Sequence, residues 1–476
     1  TSSCSRLFKN WIARPLLDKS LINNRLNHVQ DFFDNDNFIS DTRLLLKKTY
    51  DIERIIAKIA SNKSNPIDII NLSTSLKILH DFKNLIPEKS SFVKKLFKDI
   101  INSKKIISII DNTLADNPPV NMNKGNFIKD GFSNELDDLR SISNDANEWM
   151  INYQDKLRLE TSISSLKISF NKIFGYYIDV TKTHVNKVPD YFIKKQTLVN
   201  NERFFTNELK DFEDKILNAD YKINKLESKI FNNLCQIIIN ISNDIQSNAH
   251  IISKIDIFSS LAYLAINNKY IRPIINEKFS LKIKNGRHPV IENLILDSNQ
   301  FIGNDIKLDS KGFLSIITGP NMAGKSTYLR QIGIIIIMAQ IGSFVPADYA
   351  EVGLIDKLFT RVGASDNLSE GESTFLVEMQ ETANIINNAT KSSLILLDEI
   401  GRGTSTYDGL SIAWAVTEFI HNKIKAKTLF ATHYHELVDL GNNLKNANNL
   451  NVLVEESSDK SDIVFLRKII KGGTDK

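Results

Sequence analysis

The sequence predicts a multidomain protein that combines an all-α scaffold, a pair of long antiparallel stalk helices with a small β-rich tip, and an α/β domain. Three observations predict this fold class. The pattern Gly-x-x-x-x-Gly-Lys-Ser at 319–326 lies between a strand-like and a helix-like apolar run. Apolar residues recur at helical spacing before residue 115, and no glycine precedes Gly125. Two long helical patterns flank a segment of β-branched and aromatic residues at 166–205.

Length and composition narrow the possible classes of protein. A chain of 476 residues is long enough for about two to four domains. The net charge of +4 is too small to indicate nucleic-acid binding by itself. Cys4 and Cys235 stand in no Cys/His spacing, so we expect reduced thiols and no zinc. The apolar run 332–341 is shorter than the about 18 residues of a membrane span, so we expect no membrane insertion.

Residues 1–132 are predicted to form the first part of the helical scaffold. Ile52, Ile55 and Ile59 fall at helical spacing, as do other apolar residues of this part. Prolines at 15, 66 and 87 stand where one helix is expected to end and the next to begin. Nothing in this part has the pattern of a catalytic site, so we expect a structural role.

The stalk is predicted over residues 133–165 and 206–265. Apolar residues in both segments recur in steps of three and four, which is the seam of a coiled coil. Two such helices that are separated by a short segment should lie antiparallel, with the second returning to the scaffold. Helices of about 30 residues at about 1.5 Å each would make an arm about 45 Å long.

The tip of this stalk, residues 166–205, changes to a strand-like pattern. Residues 166–170 and 176–181 are β-branched and aromatic with alternating character. From 166 to 210 there are eight lysines and arginines against four acidic residues. A small basic β-tip on a long arm can contact phosphates without reading bases. A merely solvated hairpin would show the same charge, so charge alone leaves both interpretations open.

The glycine-rich turn at 319–326 is typical of a nucleoside triphosphate site. Gly319 and Gly324 allow backbone N–H groups to surround phosphates, and the following helix directs the positive end of its dipole at them. Lys325 can reach the β- and γ-phosphates, and the Ser326 hydroxyl can bind Mg²⁺. The pattern therefore predicts nucleotide binding with magnesium.

Two further predicted strands end in residues suited to the same chemistry. Asp398 and Glu399 follow an apolar run, and active residues lie at the carboxyl ends of parallel strands. Asp398 can hold Mg²⁺, and Glu399 can polarise the attacking water. The strand 427–432 ends at His433, where an imidazole can contact the γ-phosphate. A lone histidine usually has a structural role, but this position favours a functional one.

Four segments of the α/β domain carry the specific motifs of one family. They are Gly-Pro-Asn-Met-Ala-Gly-Lys-Ser at 319–326, Ser-Thr-Phe-Leu-Val-Glu-Met at 373–379, Leu-Asp-Glu-Ile-Gly-Arg-Gly-Thr-Ser-Thr-Tyr-Asp-Gly at 397–409 and Ala-Thr-His-Tyr-His-Glu-Leu at 431–437. With upstream motifs at 51–54, 174–177, 196–203 and 286–289, the sequence resembles the MutS family of DNA mismatch repair ATPases over nearly its whole length.

This resemblance implies an ABC-like P-loop ATPase over residues 266–476 that works as a homodimer, with ATP or ADP and Mg²⁺ bound at the subunit interface. The implied catalytic residues are Glu399, Lys325 and His433, and the implied magnesium ligands are Ser326 and Asp398. The implied nucleotide-binding residues are Gly319, Pro320, Asn321, Met322, Ala323, Gly324, Lys325, Ser326, Thr327, Phe301 beside the adenine, and Ser373, which reaches the partner's γ-phosphate in trans.

The resemblance also implies that the tip is a DNA clamp and that the helices are the core and lever. This favours contact with DNA over the solvated hairpin, with double-stranded DNA and a MutL-type repair factor as partners in a bacterial cytoplasm, at the nucleoid. The implied DNA-binding residues are Lys172, Lys194, Lys195, Asn200 and Arg203.

Some family features do not match the chain. The mismatch-reading domain with its Phe-x-Glu motif and the connector domain have no counterpart, and the match stops before the family's last ATPase strand, so we expect a piece of a longer protein. Arg467 stands where the family often has a histidine beside the adenine. Three alternatives remain: a family member that controls recombination, a transporter ATPase and a chromosome-organising ATPase.

Overall fold

The computed structural model describes residues 1–171, 175–295, 301–320, 323–362, 374–456 and 463–472. Its helices are α1 (Ser2–Ala13), α2 (Lys19–Phe33), α3 (Asp36–Leu46), α4 (Ile52–Ala60), α5 (Pro66–Leu85), α6 (Ser91–Lys98), α7 (Lys104–Thr113), α8 (Asn134–Thr161), α9 (Asn207–Asn240), α10 (Ser242–Asn267), α11 (Ile291–Leu294), α12 (Lys325–Ile341), α13 (Thr374–Asn388), α14 (Thr406–Phe419) and α15 (Glu436–Asn443). Its strands are β1 (Lys167–Asn171), β2 (Gly175–Thr181), β3 (Ile193–Thr197), β4 (Asn201–Phe205), β5 (Ile274–Asn276), β6 (Leu281–Gly286), β7 (Asn304–Leu308), β8 (Leu314–Thr318), β9 (Tyr349–Gly353), β10 (Leu358–Arg361), β11 (Leu394–Asp398), β12 (Lys427–Ala431), β13 (Ala447–Glu456) and β14 (Ile463–Lys471).

The chain folds into two compact units. One contains Thr1–Lys47, Phe82–Asp99 and Ile251–Lys476, and the other contains Lys48–Asp81 and Ile100–His250. The protein is therefore multidomain and helix-rich with several sheets, as the sequence predicts. The division of the sequence into five segments is finer than these two units and stays a prediction.

Helix α4 shows how an apolar face and a polar capping side chain together favour a short helix. In α4, the Asp51 carboxylate accepts a hydrogen bond from the backbone N–H of Arg54, which satisfies an otherwise unpaired group at the helix start. Ile52, Ile55 and Ile59 of the same helix are buried. Helix α10 is apolar and long enough to cross a membrane by composition, but 67% of its most apolar window is buried inside the protein, as in a core helix.

Two long helices of the second unit, α8 and α9, lie antiparallel. Ser143 of α8 donates to Asp220 of α9 over 2.9 Å. Further along α8, the hydroxyl of Tyr153 lies 2.8 Å from that of Thr206, which caps the start of α9. The later residue of α8 contacts the earlier residue at the start of α9, so the two helices run in opposite directions. The 34 residues of α9 give a rod about 50 Å long.

A four-stranded antiparallel sheet connects α8 to α9, with strand order β1-β2-β4-β3. Its buried face includes Ile178, Val180 and Phe204, which pack with Leu157 of α8. The sequence pattern indicates β1 and β2 but not β3 and β4. The sequence does not indicate strand β3, because most of its side chains are exposed and no apolar alternation marks it.

The first unit contains a six-stranded sheet with the order β10-β11-β12-β8-β13-β14. Its first five strands are parallel, and β14 is antiparallel to β13. Strands β8 and β12 are buried along their whole length, as central parallel strands should be. A second sheet has the order β5-β9-β6-β7. Register places Asp398, Ala431 and Ile317 side by side, which brings the carboxyl ends of three strands together.

Candidate functional site

The carboxyl edge of the six-stranded sheet gathers the residues that the sequence singles out. The turn after β8 leads into α12 at Lys325, while β11 ends at Asp398 and the segment after β12 carries His433. Since β8, β12 and β11 are consecutive parallel neighbours, their carboxyl ends share one edge. This arrangement forms one site from three segments that are 35 to 108 residues apart in sequence.

The turn between β8 and α12 needs glycine on steric grounds. Gly319 has φ +141°, and a Cβ on it would lie 3.1 Å from Val452 Cβ on β13. Gly324 has φ +104° and forms the N-cap of α12, while Ala323 beside it is buried. Pro320 lies in the same turn; Asn321 and Met322 lie outside the described residues. The turn therefore brings backbone, with no side chain on Gly319 or Gly324, to the start of a helix.

Lys325 is held within the turn at the first position of α12. Its side chain is 5% exposed, and its Nζ donates to the carbonyls of Gly319 and Pro320. Nζ also lies 4.0 Å from Oε1 of Glu399. Burial lowers the pKa of Lys325, and the nearby carboxylates of Glu399 and Asp398 oppose that shift. The ammonium is thus held in the turn at the start of α12, where the positive end of the helix dipole favours an anion.

Asp398 and Ser326 form a polar pair at the same edge. The Ser326 hydroxyl bonds to the Asp398 carboxyl, which opposes the rise that burial causes in the pKa of Asp398. The Oδ1 atom of Asp398 is buried and has no hydrogen-bond partner within the part of the chain that the structure describes. A buried carboxylate oxygen without a partner costs free energy, and beside a hydroxyl it fits the oxygen ligands that Mg²⁺ prefers.

Glu399 has an unusual backbone conformation. Its φ is +53°, in the left-handed region that residues with a side chain rarely adopt. Its backbone N–H donates to the carbonyl of Ala431 over 2.9 Å, and Oε2 accepts from Arg402 Nη1 at 2.9 Å. The conformation directs the carboxylate toward Lys325, 4.0 Å away. Non-glycine residues in this region cluster at functional sites.

His433 is exposed at the same edge, with its ring centroid 4.0 Å from that of Tyr434. Neighbouring groups partly shield the ring from water, and this is the main cause that lowers the pKa of His433. The charges of Lys325 and Arg402 lower this pKa further, while those of Glu399 and Glu436 oppose the shift. A lowered pKa favours the neutral imidazole, which has one ring N–H to donate. Lys325, Asp398, Glu399 and His433 are brought together as one group.

The tip sheet of the second unit carries the candidate DNA-binding residues. Lys194 Nζ lies 2.7 Å from Glu202 Oε1, and Lys195 Nζ lies 5.4 Å from the Phe205 ring centroid. Asn200 is exposed in the turn between β3 and β4. Both lysines lie on β3, and the Lys194 charge is partly balanced by Glu202 on the neighbouring strand β4.

Arg203 belongs to the same surface but is more restrained. Its guanidinium lies 4.1 Å from the Tyr177 ring centroid, and Nη1 donates to Gln196 over 2.9 Å. Such stacking fixes a planar cation in one orientation. The remaining candidate, Lys172, lies outside the described residues.

Comparison with known proteins agrees with the motifs. Residues 1–262 match the family MutS domain III, and residues 315–476 match the family MutS domain V. The chain belongs to the MutS family. The resemblance inferred from the motifs is thus confirmed.

Several MutS-family relatives can be compared along the whole chain. Identity is 48% with the DNA mismatch repair protein MutS of Caldicellulosiruptor saccharolyticus, over 100% of this chain and 55% of that protein. With the protein of the same name from Caldanaerobacter subterraneus subsp. tengcongensis, identity is 47% over 99% of this chain and 54% of the relative. With the protein of the same name from Clostridium novyi, identity is 47% over 100% of this chain and 52% of the relative. The chain spans about half the length of these relatives.

Other residues implied by the MutS resemblance lie around this edge or outside the described residues. Phe301 is half-buried and stands just before β7. There, Asn304 Nδ2 donates to the carbonyl of Arg467 over 3.0 Å, so β7 and β14 are joined near the turn. Arg467 Cγ lies 4.0 Å from the point where a Cβ on Gly324 would be. Thr327 follows Ser326 in the first turn of α12. Ser373 lies outside the described residues.

Three contacts at the edge carry no separate signal in the sequence. Arg402 pairs with Glu399, the Tyr434 hydroxyl donates to the Gly401 carbonyl over 3.1 Å, and Glu378 accepts from the Gly401 N–H. All of them stand inside the motifs shared with the MutS family. Their presence in a motif was a signal, but only the structure shows what each one contacts.

Proposed function

We propose that this chain contains the ATPase and DNA-clamp parts of a MutS-type DNA mismatch repair protein. The observation that carries the proposal is the meeting of Lys325, Asp398, Glu399 and His433 at one sheet edge, beside a glycine-rich turn at the start of a helix. Strand, glycine-rich turn and helix in this order are typical of a P-loop, and we assign an ABC-like P-loop ATPase to residues 266–476.

Each residue of the sheet edge would have a separate role in ATP hydrolysis. Backbone N–H groups of the turn bind the phosphates, and Lys325 balances their charge. Ser326 and the unpaired oxygen of Asp398 would hold Mg²⁺, which when bound neutralises phosphate charge. Glu399 accepts the proton of the attacking water, and neutral His433 donates a hydrogen bond to the γ-phosphate.

The resemblance extends the proposal to a homodimer. Ser373 would complete the site of the partner subunit by contacting its γ-phosphate, and Phe301 would pack on the adenine of ATP or ADP. Each site would then need residues of both subunits, so that the rate of hydrolysis would depend on how the two subunits contact each other.

The second unit would be the part that holds DNA. We assign 1–132 to core and lever, 133–165 and 206–265 to the stalk and core, and 166–205 to the clamp. The exposed cations of β3 contact the backbone of double-stranded DNA, which needs no base-specific contact. A MutL-type factor would be the downstream partner, and the bacterial cytoplasm, at the nucleoid, would be the location.

The test is ATP binding and hydrolysis by the purified chain and its Glu399→Ala variant, with and without duplex DNA. We expect hydrolysis to fall on the order of 100-fold or more in the variant, because no group takes the proton from water. ATP binding should persist, since Lys325 and the turn remain. The matched control is Glu418→Ala, an exposed glutamate on α14, which should leave hydrolysis unchanged. Normal turnover by Glu399→Ala would refute the assigned role.

A further inference from the structure

A buried carboxylate connects the start of α13 to the turn that follows Glu399. Glu378 is 3% exposed. Its Oε1 accepts a hydrogen bond from the backbone N–H of Gly401, and its Oε2 lies 3.7 Å from Nη2 of Arg361 on β10. A charged group that is buried this completely is costly unless its partners are well placed. The Gly401 N–H is therefore a strong, charge-assisted partner.

Gly401 is fixed from its other side as well. Its carbonyl accepts a hydrogen bond from the Tyr434 hydroxyl at 3.1 Å. Its φ is +88°, and a Cβ on it would lie 2.6 Å from the Cα of Gly409. No side chain fits there. The peptide groups on both sides of Gly401 are thus held by contacts from α13 and from the segment after β12.

The hydrogen bonds that hold Gly401 also restrain Glu399, which is two residues away. The left-handed conformation of Glu399 is unfavourable relative to an ordinary one. Such a conformation persists only where neighbouring structure imposes it. On one side the Glu399 N–H is held by the Ala431 carbonyl of β12, and on the other the chain is held at Gly401 by Glu378.

We infer that Glu378 is a positioning residue for the ATPase reaction, because it holds the turn that directs the Glu399 carboxylate. The inference rests on the proposed function and adds a dependence to it: the direction of Glu399 is tied to the position of α13. Helix α13 begins at Thr374, directly after Ser373 in the sequence. A displacement of α13 would move Gly401 and change the direction of the catalytic carboxylate.

The test compares two substitutions of Glu378 in the whole chain. Glu378→Ala removes the acceptor, and kcat should fall on the order of 10- to 100-fold because Glu399 is misdirected. The Kd for ATP should change by less than about threefold, since no phosphate-binding group is lost. Glu378→Gln keeps an acceptor oxygen for the Gly401 N–H, and it should recover most of the lost kcat.

Two further measurements separate positioning from general damage. Hydrogen exchange of the Gly401 amide should be faster in Glu378→Ala than in the parent, and this readout does not need ATP. The matched control is Thr382→Val, one turn along α13, whose buried hydroxyl donates to the Glu378 carbonyl over 2.8 Å. It should leave kcat and Gly401 exchange unchanged.

The outcomes are distinct. A parent chain that hydrolyses ATP, with Glu378→Ala at parental kcat or with unchanged Gly401 exchange, would overturn the inference and leave the proposed function intact. A kcat loss in Thr382→Val equal to that in Glu378→Ala would also overturn it, since any disturbance of α13 would then suffice. A parent chain that binds no ATP would overturn the proposed function, and the inference with it.

Discussion

The sheet edge of the first unit and the tip of the second unit use charge in opposite ways. At the edge, Lys325 is 5% exposed and has carboxylates and carbonyls around it. At the tip, the Lys194 side chain is 51% exposed, and its partner is a glutamate on the neighbouring strand. The edge concentrates a few buried charges in fixed positions, whereas the tip distributes exposed charges over a surface.

This difference predicts how each region responds to substitution. A buried charge acts in a low effective dielectric and has no substitute when it is removed. Exposed charges are screened, and each contributes a small share to the total attraction for a polyanion. One substitution should therefore disable the edge, whereas the tip should weaken gradually as cations are removed.

The largest effect is expected for Lys325→Ala. The variant should lose on the order of 10²- to 10³-fold in kcat/KM for ATP hydrolysis, the usual loss for a charge-stabilising group in a water-excluded site. The measurement is steady-state hydrolysis together with ATP binding. If the fold-loss of hydrolysis were no larger than the fold-loss of DNA affinity caused by reversing a single tip lysine, the contrast between the two regions would be wrong.

A second buried lysine of the same sheet provides the control. Lys427, the first residue of β12, is 1% exposed, with Nζ 4.2 Å from the Phe279 ring centroid, and burial lowers its pKa to about 8. It stands at the amino end of its strand, away from the edge. Lys427→Met should leave hydrolysis unchanged.

Mixing Lys325→Ala with Ser373→Ala protein should restore part of the activity if Ser373 acts in trans; no recovery at any ratio would contradict trans action.

The two regions also differ in how much the sequence alone predicts. The edge was predictable because strand, turn and helix are contiguous, and because apolar runs that end in Asp398 and His433 have the pattern of buried parallel strands. The contact from Glu378 to Gly401 was not, since it joins residues 23 positions apart whose approach depends on packing. Strand β3 was not predictable either, because its exposed residues lack an apolar alternation.

At the tip, we expect a graded loss of DNA binding. Reversing Lys194, Lys195 and Arg203 together to glutamate should weaken binding to duplex DNA at low salt. It should also reduce the slope of log K against log salt by up to about three, or about one for each lost phosphate contact. Each single reversal should have a smaller effect. The measurement is a salt titration of affinity for each variant.

The control variant for the tip makes the same change of net charge at three lysines of α9, away from the tip sheet. Lys222, Lys225 and Lys229 are exposed on α9, and reversing them changes the net charge by the same amount. This variant should keep the parental salt slope. Equal losses in both triple variants would show that overall charge, and not the tip, attracts DNA. Abolition of binding by a single tip reversal would show that the tip, like the edge, depends on one residue.

The smallest effect at the edge is expected at His433, because it is exposed and donates only a neutral hydrogen bond. Its pKa is lowered, mainly because neighbouring groups partly shield the ring from water, so the imidazole should titrate below its ordinary value of about 6.5 in the folded protein. His433→Ala should lose on the order of tenfold in kcat at pH 7.5, and His433→Gln, which keeps an N–H donor, should lose less.

The sign of the pH effect at His433 gives a second measurement. Because the unfolded chain takes up the proton at higher pH than the folded one, the parent should lose stability relative to His433→Gln as pH falls through and below about 6.5. NMR titration can follow the resonance that is missing in His433→Gln. A midpoint above the ordinary histidine value would mean that Glu399 outweighs burial and the cations Lys325 and Arg402. The imidazole would then be charged at neutral pH and act on the γ-phosphate as Lys325 does.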